Sequence, residues 1–233
     1  YPITTHLNRL TQLLDQLTIP GEHNRENAEA AILAALSILG LTFSELFTPQ
    51  NQQYYQRIAE GLSTFKGLPH RIQFVRELNH VHYYDDNYSS AFPASDVAIK
   101  AFENYPTILI AGGKDRHLDL TDMKHRFFTA PNLKKIILIG ETRFALSSGE
   151  DPEKYILAES LEEAIRIARQ YAEQYAADLD ANYDLCIPST KEAKSNNHAK
   201  PVIVLMSPGA ASFDMFKDFS DRGEQFQQIV NTF

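Results

Sequence analysis

Cysteine is almost absent from this chain: Cys186 is the only one in 233 residues. That excludes a disulfide framework and a cysteine-based metal site, and it suits a reducing cytosol. Long apolar runs are missing too, since none approaches the roughly 18 residues needed to cross a membrane. Positive charge is in the minority, with 22 Lys and Arg against 30 Asp and Glu and a formal charge of -8. A general nucleic-acid surface needs clustered Lys and Arg, so none is expected, although a local basic pocket stays open. The eight histidines form no H-E-x-x-H arrangement, and His80 and His82 read as a solvated pair, so no metal site is expected. There is no G-x-S-x-G elbow, and Cys186 has no evident base partner, so nucleophilic catalysis is not expected. The chain starts at Tyr1 with neither a charged n-region nor an apolar h-region, which argues against a signal peptide. It reads as a piece of something longer, located in the cytoplasm.

What is present is the composition of a soluble globular protein, 43% hydrophobic and 22% charged, with ample material for a core. Leucines at helical spacing run through residues 6–19 until Pro20 and Gly21 stop them. "NRENAEAAILAALSILG" then predicts a helix capped by Asn24 and closed by Gly40. A further helix spans about 50–62, and "STFKGLPHR" reads as a linker, which puts a domain boundary near Gly67. Beyond it, "RIQFVREL" and "VHYYDD" alternate apolar and polar residues on either side of Asn79 and His80, the pattern of a β-hairpin. "PTILIAGG", "KKIILIGE", "KYILAE" and "PVIVLMS" are apolar strands separated by helical stretches near 95–104, 120–128 and 160–177. This order predicts an α/β fold with a mostly parallel sheet covered on both faces. The polar stretch 178–200 reads as an exposed loop.

Ligands of such sheets gather at the carboxyl ends of the strands. That rule points at "GGKDR", "GET" and "SPGAAS". "GGKDR" lacks the spacing of a phosphate loop and by itself reads as a turn. Asp85 and Asp86 stand at a strand terminus, where carboxylates either accept from ligand hydroxyls or cap the next helix. Between a strand and a helix, "SPGAASFDMFKDFSDRG" reads as a binding loop whose small residues admit an anion to helix-start amides, though a plain tight turn fits it too.

Taken in order, "GEHNRENAEAAILAALSILG", "GLPHR", "AGGKDR" and "SPGAASFDMFKDFSDRG" resemble the carboxyl part of the Mur ligases. The resemblance covers most of the chain, leaves out 178–200, and implies a Rossmann-like carboxyl-terminal domain over 67–233. Residues 1–66 would then be the helical tail of the family's central ATP-binding domain, whose phosphate motif G-T-N-G-K-T this sequence lacks. The implied reaction is ATP-dependent amide formation in peptidoglycan synthesis, with Mg2+ bound mostly outside this portion and no catalytic residue within it. The nearest branch joins D-glutamate to UDP-N-acetylmuramoyl-L-alanine. By the same resemblance Asn24, Asn27, Arg71 and Asp86 match nucleotide-binding positions, the last on the ribose. Arg116, Ser90, Ser212, Phe213 and Phe219 match positions around the amino-acid substrate. Tyr88 stands where the family has lysine and Ser90 where it has threonine, so another amino acid or a folate substrate is an alternative. A non-catalytic, ligase-like binding subunit is a further one.

Overall fold

The computed structural model describes residues 3–186 and 200–233. The chain divides into two compact units, residues 1–67 and 68–233.

The first unit is helical, with α1 (Ile3–Leu14), α2 (Glu22–Leu39), α3 (Phe43–Leu46) and α4 (Gln52–Thr64). Ala28, Ile32 and Leu36 recur every four residues along α2, so they form one stripe, which packs with Leu13, Leu14 and Leu46. Gly40 ends α2 in the left-handed conformation expected of it, at φ 66°. The start of α2 differs from the sequence expectation. Gly21 occupies the cap, and Asn24 lies inside the first turn, where its side-chain amide donates to the carbonyl of Pro20 at 2.6 Å. The helix begins before Asn24, so that side chain can only reach backwards. Thr42 and Glu45 cap α3 reciprocally, each side chain taking the other residue's amide.

The second unit is built on a six-stranded sheet in the order β1-β2-β6-β3-β4-β5. Its strands are β1 (Gln73–Leu78), β2 (Val81–Asp85), β3 (Thr107–Gly112), β4 (Leu133–Ile139), β5 (Tyr155–Leu157) and β6 (Val202–Met206). β1 and β2 form the expected antiparallel hairpin, turning through Asn79 and His80 at φ 52° and 59°. Two consecutive left-handed residues match the twist of the flanking strands. The other pairings are parallel.

Side chains alternate faces along each strand, and the core records it. Ile108, Ile110, Ile137, Ile139, Val202 and Val204 meet α8 (Leu161–Cys186) and α9 (Phe219–Asn231) on one side. Leu109, Ala111, Ile136, Leu138, Ile203 and Leu205 meet α5 (Phe92–Ala101), α6 (Thr121–Thr129) and α7 (Arg143–Ser147) on the other. The mostly parallel sheet with helices on both faces is therefore as the sequence predicts. One boundary is not. α8 continues to Cys186, inside the stretch read as a loop, because no glycine or proline interrupts 161–187. The remainder of that stretch, 187–199, lies outside the described residues.

Candidate functional site

The loops that leave the carboxyl ends of β2, β3, β4 and β6 are laced together by backbone hydrogen bonds. Past β3, the amide of Gly112 donates to Pro208 and that of Lys114 to Ala211 at 2.7 Å, an isolated antiparallel bridge between "GGKDR" and "SPGAAS". Gly113 has to be glycine here, since a Cβ would sit 2.2 Å from the carbonyl oxygen of Ala211. The "GET" loop closes the same turn from β4. The Thr142 hydroxyl accepts from the Gly113 amide, and Glu141 takes Lys114 on one carboxylate oxygen and the Asp115 amide on the other. The bond to Lys114 holds the Glu141 carboxyl below its ordinary range and the ammonium above its own. Gly209 donates to Ser89, which brings in the loop after β2.

This lacing gathers several of the sequence-predicted residues. Arg116, an exposed residue, donates from its guanidinium to the carbonyl of Ser90 at 3.2 Å. Ser212 follows directly on the Ala211 bridge and is 2% exposed. Phe219 lies edge-on to Tyr88, with ring centroids 5.3 Å apart, and both rings keep an exposed side. Phe213 is 69% exposed. Asn24 and Asn27 belong to the first unit, on neighbouring turns of α2, and Asn27 is exposed.

Asp86 is the surprise among them. Its carboxylate is 2% exposed and already accepts from the amide of Ile72 at 3.1 Å, the Ser89 hydroxyl at 2.5 Å and the Ser207 hydroxyl at 2.6 Å. Burial pushes its pKa up to about 6, against the lowering effect of those three donors. Neither Asp86 nor Asp85 caps α5, whose cap is Ala91 without a side-chain bond, so the capping alternative is set aside. The carboxylate instead fastens Ile72, which carries an uncommon φ of 44° for a β-branched residue. Next to it Arg71 is exposed, and no partner for its guanidinium is found among the described residues.

The helix-start part of the reading of the last motif needs correction. Residues 207–218 are not helical, and α9 starts only at Phe219, where Asp218 caps it by accepting from the Asp221 amide. The small residues therefore serve the close packing of neighbouring loops, and the first amides of the helix come twelve residues later than Ser207.

Sequence reading missed Arg222, which is fully buried. Its Nε donates to the Asn87 side chain at 2.6 Å, and its terminal nitrogens reach the carbonyls of Ala210 and Asn87. Desolvation lowers its pKa to about 10, so the guanidinium stays charged at neutral pH. A basic residue in the first turn of a helix, where the helix dipole disfavours it, was the available signal. Among the described residues no group of three or more His, Cys, Asp or Glu could hold a metal ion. No helix among them is long and apolar enough to cross a membrane.

No protein-family model matches the chain. Curated relatives do. It is 34% identical over 228 residues to a UDP-N-acetylmuramoylalanine--D-glutamate ligase of Caldanaerobacter subterraneus, covering 96% of this chain and 41% of that protein. It is 32% identical over 219 residues to the ligase of the same name from Enterococcus faecalis, covering 93% and 39%. The chain thus spans about two fifths of the length of the curated relatives it matches. In fold it is similar to Mycobacterium tuberculosis folylpolyglutamate synthase, solved with ADP and AMPPCP, at a TM-score of 0.53 and 15% identity over 90% of this chain and 41% of that one. It is also similar to MurF from Acinetobacter baumannii, at 0.52 and 17% over 91% and 39%. The resemblance to Mur ligases carried by the four sequence motifs therefore extends over almost the whole chain.

Proposed function

We propose that this Mur ligase relative is the carboxyl-terminal portion of an ATP-dependent ligase that joins D-glutamate to UDP-N-acetylmuramoyl-L-alanine in peptidoglycan synthesis. In this reading residues 1–66 close the central ATP-binding domain and 67–233 form the domain that holds the incoming amino acid. The acceptor carboxylate is activated as an acyl phosphate by groups outside this portion. The chain's own task is to orient the attacking amine, which can supply up to roughly 7–11 kcal/mol in ideal intramolecular cases.

The observation that carries the reading is the Arg116–Ser90 contact beside the Lys114–Ala211 bridge. The guanidinium reaches Ser90, and Ser212 follows Ala211 of the bridge, in loops at the strand ends where ligands of parallel sheets bind. Arg116 pairs with the amino acid's carboxylate, which its planar fork can take in bidentate fashion. Phe219 and Phe213 supply apolar walls. Within the first unit Asn24 and Asn27 are assigned toward a base by the resemblance; separately, within the second, Arg71 is assigned toward a nucleotide, its guanidinium without a partner among the described residues. Asp86 contributes chiefly by fixing the backbone beside Arg71, because a ribose hydroxyl would have to displace a serine from its enclosed carboxylate. Magnesium finds no cluster among the described residues, so no step is assigned to it.

In the full-length protein Arg116→Ala is expected to raise the amino-acid KM by about 10- to 100-fold, the loss of a charged hydrogen bond, with little change in the KM for ATP. Equal changes in both would remove Arg116 from this role. Tyr88, 54% exposed where the family has lysine, favours one further reading, a ligase for a less acidic amino acid. Turnover with D-glutamate, L-glutamate and neutral amino acids separates the two.

A further inference from the structure

Three residues far apart in sequence meet at the start of α9. The Nδ1 of His70 lies 2.8 Å from a carboxylate oxygen of Asp85, and its Nε2 lies 3.2 Å from the hydroxyl of Ser220. Asp85 is fully buried, and Asn87 and Gln227 hold its orientation, the former through amide and side chain, the latter at 2.6 Å. A carboxylate accepts only, so it takes the Nδ1 proton and leaves Nε2 as acceptor toward the serine. Gly223, one turn along α9, makes this possible: a Cβ there would sit 2.2 Å from Nδ1. The ring packs directly against the helix backbone. Ser220 is half-buried, and among the described residues its other side-chain acceptor is Glu224 at a long 3.5 Å.

We infer that Ser220, His70 and Asp85 form a nucleophile, base and orienting carboxylate able to hydrolyse small activated esters. Such a constellation is recognised by geometry and roles whatever the order of its members in sequence. Ser220 attacks the ester carbonyl carbon while its proton passes to His70 Nε2. The C–O bond to the alcohol then breaks, and the departing oxygen takes that proton. Water attacks the acyl-serine, gives a proton to Nε2, and releases the acid as Ser220 regains its hydrogen. Asp218 caps α9 through the Asp221 amide alone, so the amides of Phe219 and Ser220 remain as donors for a developing oxyanion. Phe219, next to the serine in the chain, stacks edge-on with Tyr88, and both rings are partly exposed, which suits an aryl ester. None of this rests on the ligase reading, and the test below does not involve ATP or an amino acid.

The test treats the full-length protein with a fluorophosphonate probe, locates the adduct by peptide mass spectrometry, and follows release of nitrophenolate from p-nitrophenyl acetate. One adduct on Ser220 is expected. Ser220→Ala, which deletes a single partly exposed hydroxyl, should abolish both adduct and hydrolysis with unchanged circular dichroism. His70→Gln should lower hydrolysis by about 10²- to 10⁴-fold. An adduct elsewhere, or hydrolysis that survives in Ser220→Ala, would overturn the assignment.

Discussion

The two units solve the problem of burial differently. In residues 1–67 the buried set is apolar throughout, while Leu33 and Ile38 on α2 stay 53% and 87% exposed. In residues 68–233 the sheet buries more aliphatic surface, yet it also encloses Asp85, Asp86, Asn87, Ser207 and Arg222. Among the described residues every buried polar or charged side chain belongs to the second unit. Enclosed polar groups cost free energy unless each finds a partner, so they persist where geometry matters more than stability. Apolar packing makes the core of the first unit. A set of mutually dependent hydrogen bonds defines the loops of the second.

The hardest blow to that contrast is Arg222→Met. It takes away the guanidinium that donates to the Asn87 side chain and to the carbonyls of Asn87 and Ala210, and should cost the second unit about 3–5 kcal/mol, at about 1–3 for each buried acceptor left unpaired, read by urea unfolding together with hydrogen exchange resolved by unit. A loss under 1 kcal/mol would make the network ornamental. Asp86 gives an effect of about 3 kcal/mol that depends on pH. Its folded pKa of about 6 exceeds the ordinary 3.8, so the folded state holds the proton more tightly. The stability it contributes is full below pH 3.8, declines as pH rises toward 6, and is gone above that. Comparison with Asp86→Asn isolates it from other carboxylates: between pH 4 and 7 the difference in unfolding free energy should move in favour of the variant. A difference independent of pH would mean that Asp86 titrates normally. In the first unit the counterpart is small. Gly40→Ala meets no atom within 4 Å, so only the left-handed backbone opposes it, at about 1 kcal/mol, with exchange in 68–233 unchanged.

Much of the fold was legible because it rests on periodicity. The alternation of Ile108, Leu109, Ile110 and Ala111 between two cores is written in the uninterrupted apolar run, and the hairpin is written in Asn79-His80 between alternating strands. For the candidate site, the strand-end rule pointed only to the loops that carry Arg116 and Ser212, and the family resemblance picked out those two residues within them. His70 and Ser220 lie 150 positions apart, and Asn87 and Arg222 lie 135 apart. A single polar residue has no period, so nothing local announces its distant partner. Asn24 misled for a related reason: its identity suits a cap, but where a helix begins is settled by packing and by Gly21.

The strand order carries a consequence for synthesis. β6 sits between β2 and β3, yet of the six strands in this sheet it comes last in sequence. On the ribosome the hairpin half and the β3–β4–β5 half must wait, each with a bare edge capable of pairing with a stranger, until residues 202–206 emerge and stitch them together.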